Sequence, residues 1–114
     1  MTEGTPVLDV LVAMTAVSVE GANLEPRDHM IARIAALAAV GAPAASYLLN
    51  AGTAAEAGIT LDDVQGILIA VAPVIGTPRV VAAAGNITRA LGFAVAVAEA
   101  EIEAELDEEL DEEE

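Results

Sequence analysis

Five breaks at near-equal spacing decide what this chain can fold into: Thr5-Pro6, Glu25-Pro26, Gly41-Ala42-Pro43, Gly58-Ile59-Thr60 and Gly76-Thr77-Pro78. Each marks a helix stop, a helix start or both. Proline suits the first helical position because the amide it lacks has no intrahelical partner there, and glycine takes the left-handed backbone that ends a helix. Between the breaks, apolar residues follow three-and-four spacing, which predicts helices. The first covers about Pro6 to Val19, with Thr5 as N-cap, Val7, Leu8, Leu11, Val12 and Met14 along one face, and Gly21 at its end. Asn23 or Glu25 with Pro26 opens the second; its Ile31, Ile34, Leu37 and Ala38 point to the core, and Gly41 closes it. The third runs from Ala44 to Ala57 and ends at Gly58. Thr60 caps the fourth, where Asp62 and Asp63 complement the helix dipole, Val64, Ile67, Leu68 and Val71 are buried, and Pro73 kinks or ends the helix. Thr77-Pro78 starts the fifth, with Val81, Ile87, Leu91 and Val95 expected to face the core.

The Val-rich runs at 66–76 and 78–85 fit buried strands equally well by periodicity alone. Capping decides for helix: threonine, then acids, then apolar residues is the order of a helix N-terminus, and alanine is a poor strand former. The expected fold is therefore all-α, a single-domain bundle of about five helices. At 114 residues one core suffices, and a hydrophobic fraction of 55% with only Tyr47 and Phe93 as aromatics calls for close packing of small side chains. The uncharged stretch from Ile34 to Ala55 is long enough to span a bilayer, but Gly41, Pro43, Ser46, Asn50 and Gly52 interrupt it, so two soluble helices and no membrane span are expected there. With an acidic N-terminus in place of a basic signal, a cytoplasmic location is expected.

Charge is concentrated at one end. Eleven of the 19 acidic residues fall between Glu99 and Glu114, while the other eight face four arginines and no lysine. Nucleic acid is excluded as a partner, because neutralising phosphates needs clustered basic groups. Ile102, Leu106 and Leu110 recur every four residues within the acidic run, so it should prolong the last helix into a long acidic C-terminal helix. Acidic side chains four apart oppose that helix by a few tenths of a kcal/mol per pair. Circular dichroism should accordingly show helicity rising at low pH or high salt. The stripe is either a solvated, solubilising end or a docking face for a neighbouring subunit or basic partner. Three segments follow: an N-terminal helix over 1–22, a helical core over 23–98, and the tail over 99–114.

From Leu24 to Val64 the chain resembles the helical core of the carboxymuconolactone decarboxylase family, which includes the alkylhydroperoxidase D type proteins. Many members carry Cys-x-x-Cys, a His four residues on, an Ala- and Gly-containing helix end and a Thr-capped helix. Counting back from Ala57-Gly58-Ile59-Thr60, the cysteine positions are Pro43 and Ser46 and the histidine position is Asn50; counting forward from Leu24-Glu25-Pro26 shifts this by about one residue. Gly76-Thr77-Pro78 is similar to the Gly-x-Pro that opens the family's last helix. The resemblance implies the alkylhydroperoxidase D-like bundle and a homo-oligomer, commonly a trimer or hexamer. It does not carry the chemistry over. The chain has no cysteine, so thiol peroxidase activity, disulfides and thiolate metal sites are excluded, and the family's relay glutamate falls near Met30 or Ile31.

The remaining polar candidates are few. Asn50 can orient a ligand through its amide but exchanges no proton near neutrality. Ser46 has no base near it in sequence to activate its hydroxyl. His29, the only histidine, adjoins Asp28, but neighbours on a helix diverge by about 100°, so the two do not share a site and a surface or subunit-contact role is expected. One histidine does not make a metal site, and no cofactor is expected. Arg33 either reaches solvent or pairs in an interface, and with Tyr47 and Asn50 it would suit a small acidic or aromatic ligand. Three functions follow: a non-catalytic oligomeric binding or structural module, which the empty reactive positions favour; a cysteine-independent acid–base enzyme of decarboxylase or lactone type using His29, Asn50 or Arg33; and a docking protein acting through its acidic helix.

Overall fold

The computed structural model describes residues 4–113, which form five α-helices with no strand among them: α1 Pro6–Ala22, α2 Pro26–Val40, α3 Ala44–Glu56, α4 Leu61–Ile75 and α5 Thr77–Glu113. The breaks read from the sequence are the breaks of the fold, and the way each is made explains its residues. Gly41 ends α2 in the left-handed region (φ 71°), where its amide donates to the Ala38 carbonyl and that of Ala42 donates to Leu37 at 3.0 Å. A side chain at position 41 would also collide with Arg79, whose Nη1 lies 2.8 Å from where a Cβ would sit. Gly58 (φ 80°) ends α3 in the same way, with the Ile59 amide donating to Ala54.

Thr60 builds the best-defined terminus. Its hydroxyl accepts from the Asp63 amide at 3.1 Å, and the Asp63 carboxylate accepts from the Thr60 amide at 2.8 Å, satisfying two orphan donors at once. Arg27, in the first turn of α2, adds a two-pronged ion pair to Asp63 at 2.6 and 3.0 Å and donates to the Gly58 carbonyl, tying the α3–α4 corner to α2. The Arg27 guanidinium, and after it the Thr60 amide and hydroxyl, hold the Asp63 carboxyl well below the ordinary carboxylate range. Because the folded protein lowers this pKa, the linked stability is present above about pH 4 and is lost as the pH falls further. Thr60→Ala is expected to cost about 1 kcal/mol at pH 7. The stability difference between wild type and Asp63→Asn in urea titrations should shrink steadily below pH 4.

Two helix ends differ from the expectation. α1 runs on through Gly21 to Ala22 and is closed by Asn23 in the left-handed region (φ 55°), a conformation that asparagine tolerates; Asn23 therefore ends α1 rather than opening α2. Thr5 occupies the N-cap position without capping through its side chain, and its hydroxyl donates to the Asp9 carboxylate at 3.3 Å. Of the two outcomes expected at Pro73, a kink or an end, the end is excluded: the proline lies inside α4, which continues to Ile75 and closes at Gly76 (φ 87°). The acidic segment is helical as far as Glu113, so α5 has 37 residues and is roughly 55 Å long at the α-helical rise.

The core lies where α2 is enclosed by α3, α4 and α5. Met30 and Ala38 of α2 are completely buried, with Ile34, Ala42, Tyr47, Ile67, Ala83 and Ala90 nearly so, and Leu37, Leu48, Leu68, Ile75 and Ile87 pack against this centre. Half of these buried apolar residues are alanines, Ala38 and Ala42 at the end of α2 and Ala83 and Ala90 on α5. The Asn86 amide fastens α5 to the end of α2 by donating to the Ala42 carbonyl at 3.2 Å. On α5 the buried face is Ala83, Ile87 and Ala90, whereas Val81, Leu91 and Val95, expected in the core, are exposed. α1 has no buried residue at all, and its apolar face is open to solvent. The radius of gyration is 17.1 Å, against about 13 Å for a compact domain of this size. The excess comes from α1 and the distal half of α5.

Candidate functional site

A half-open pocket of about 290 Å³ lies between α2, α3, α4 and α5. Ile34 and Leu37 form its α2 wall, Ile87 and Ala90 its α5 wall, and Ala51 and Ala54 the side given by α3. Three polar residues, Tyr47, Asn50 and Thr60, reach it. Ala51, Ala54 and Ala55 of α3 and Ala90 and Ala94 of α5 leave room between larger lining side chains that come from all four helices, Tyr47 and Ile87 among them.

Arg33 and Ser46 meet the lining residue Asn50 from behind. Asn50 Nδ2 donates to the Ser46 carbonyl at 2.8 Å, and Arg33 Nη1 donates to Asn50 Oδ1 at 3.4 Å. The second guanidinium nitrogen donates to the Thr15 carbonyl of α1 at 3.3 Å. The amide is thereby fixed in orientation, with one N–H of Nδ2 left over. Arg33 itself does not line the cavity. Ser46 enters this network through its backbone carbonyl and not through its hydroxyl.

Tyr47 is buried, and its hydroxyl finds no hydrogen-bond partner. Burial pushes the phenol pKa up, so the group stays a neutral donor at physiological pH. The Thr60 hydroxyl is already engaged with Asp63, accepting from its amide and donating to its carboxylate at 2.9 Å. The lining thus offers an oriented amide in an apolar surround, with the unpartnered Tyr47 phenol buried beside it, and no group that exchanges protons near pH 7.

His29 is only 8% exposed, so it is not the surface residue expected, and its Nε2 has no partner. It is absent from the cavity lining. Its burial follows from the phase of α2, which turns both His29 and Met30 inward. A second groove, between α2 and α4, is lined by Ile31, Ala35, Gly66 and Ile67 with Asp62 and Asp63 at its edge. Asp63 is committed to Arg27 there. Among the described residues no three His, Asp or Glu side chains converge as a metal site would need.

The α4 and α5 contributions to the cavity, Leu61, Val64, Ile87, Ala90, Leu91 and Ala94, were not read as site residues from the sequence. The available signal was the interleaving of alanine with larger apolar residues on α5, which leaves space opposite α3. No family model matches the chain, and no curated protein and no solved structure matches it.

Proposed function

We propose that this chain is a non-catalytic member of the carboxymuconolactone decarboxylase-like, alkylhydroperoxidase D-like group, working as a homo-oligomeric module that binds a small molecule. The observation carrying this reading is the roughly 290 Å³ cavity whose polar groups are Tyr47, Asn50 and Thr60. A void of about 150 Å³ already takes a benzene ring, so this one suits a substituted ring or a bicyclic molecule. The oriented Asn50 amide and the unpartnered Tyr47 hydroxyl favour a ligand with an acceptor oxygen at one end, such as a lactone carbonyl or the carboxylate of an aromatic acid. Arg33 stands behind Asn50, and its hydrogen bond to Oδ1 polarises the amide toward such an oxygen. Acid–base catalysis has less support, since His29 lies outside the cavity lining.

The test is a thermal-shift screen with benzoate, substituted phenols and γ-lactones, followed by calorimetry on wild type and Asn50→Ala. A binder that loses at least about tenfold in affinity in Asn50→Ala, or about 1.4 kcal/mol, supports the reading. A panel with no binder, or binders indifferent to Asn50, would refute it.

A further inference from the structure

α5 carries two apolar seams, and the fold uses only one. Val80, Ala83, Ile87, Ala90 and Ala94 turn toward the bundle or the cavity. One position further round the helix, Val81, Ala84, Thr88, Leu91, Val95, Ala98 and Ile102 alternate in steps of three and four over three heptads, the spacing of a coiled-coil stripe. All of these are exposed: Val81 to 65%, Leu91 to 39%, Val95 to 51% and Ile102 to 56%. Gly85 and Gly92 flank the seam with open space around them, so a second backbone can come close.

We propose that a second copy of this chain packs its α5 antiparallel along the Val81–Ile102 seam. The proposal rests on the oligomeric part of the proposed function and names the face and direction of contact. Charge sets the direction. Arg79 and Arg89 lie in the first half of α5, and neither makes an ion pair among the described residues. The second half carries acids from Glu99 onward with no basic residue. A parallel pair would lay two such acidic halves side by side, whereas an antiparallel pair sets Arg79 and Arg89 of each copy beside the acidic half of the other. With Val95 opposite Ala98 of the second copy, Leu91 meets Ile102.

The molecule as a whole leaves enough surface open to accommodate such a contact. The accessible surface is 8053 Å², against about 5,800 Å² for a folded monomer of this mass. That excess exceeds the roughly 800 Å² per partner buried in a standard interface. Leu91 also belongs to the cavity lining, so the partner helix would lie at the α5 wall of the ligand site. The Thr77–Leu110 part of α5 is also long and apolar enough by length and composition to cross a bilayer, which makes lipid the main competing occupant.

Because the chain has no cysteine, introduced thiols report the geometry alone. In the antiparallel pair, Leu91→Cys/Ile102→Cys should oxidise to a covalent dimer, while each single variant should not, since its two thiols would lie about 16 Å apart along the axis. Self-crosslinking of the single variants would show a parallel pair and overturn the proposal. Absence of any crosslink, with light scattering still reporting an oligomer, would move the interface to another face such as α1. Wild type that is monomeric at tens of micromolar, or that floats as a monomer with phosphatidylcholine vesicles, would remove the second copy altogether. None of these outcomes bears on whether the cavity binds a ring acid or lactone, which the ligand screen decides.

Discussion

Ala54→Trp is expected to abolish ligand binding, with an affinity loss of at least about a hundredfold, or about 2.7 kcal/mol. Ala54 lies on α3, is partly buried and lines the cavity. An indole there would occupy much of the roughly 290 Å³, and the opposite walls, Ile34, Leu37 and Ile87, belong to or pack on the core and have little room to retreat. Because the new side chain enters existing empty space, the fold should survive, and the ligand-free melting temperature should stay within a few degrees of wild type. Calorimetry with the best binder from the screen checks this directly. Binding at wild-type strength in a folded Ala54→Trp protein would place the ligand elsewhere.

The largest expected loss of stability comes from Met30→Ala, about 3 kcal/mol. Among the described residues Met30 is the one large side chain with no exposure at all, and truncation leaves a void beside α2. For a domain of this size the melting temperature should fall by roughly 10–15 °C, measured by circular dichroism at fixed protein concentration. In the family proposed for this chain, the relay glutamate would fall at this position or at its neighbour Ile31. An acid placed at position 30 would be buried in the driest part of the core, and Met30→Glu should destabilise more than alanine does. A Met30→Glu protein as stable as wild type would show that the site is wetter than its burial implies.

Helix boundaries were legible in the sequence because each is written in residues with one local meaning: Pro6, Pro26 and Pro43 at or just before first turns, Gly41 and Gly58 in left-handed closures, and Thr60 with Asp63 in a reciprocal cap. Local chemistry settles such choices without the rest of the fold. The faces of α5 were not legible. Its two seams differ by one residue and have similar composition, so periodicity fits either, and only packing against α2 and α3 selects Ala83, Ile87 and Ala90. His29 was misplaced for a related reason, since a polar residue in a first turn reads as surface until the phase of the helix is known. For the site, Asn50 and Tyr47 line the pocket as expected, whereas Arg33, expected beside them, lies outside the lining and reaches it only through its hydrogen bond to Asn50. The cavity itself was not legible, because it is defined by the small size of alanines on α3 and α5, and absent volume has no sequence motif.

The bareness of α1 has a consequence for how the molecule comes apart. With no buried residue to hold it and a hydrogen bond from Arg33 to the Thr15 carbonyl as its described side-chain tether from the bundle, α1 has little to lose by opening in an isolated protomer. Its backbone amides should exchange with deuterium long before those around Met30 and Ala38, and proteases should clip the Asn23–Leu24 joint while the four remaining helices stay folded. Slow exchange throughout α1 would mean that something other than its own bundle is holding the helix down.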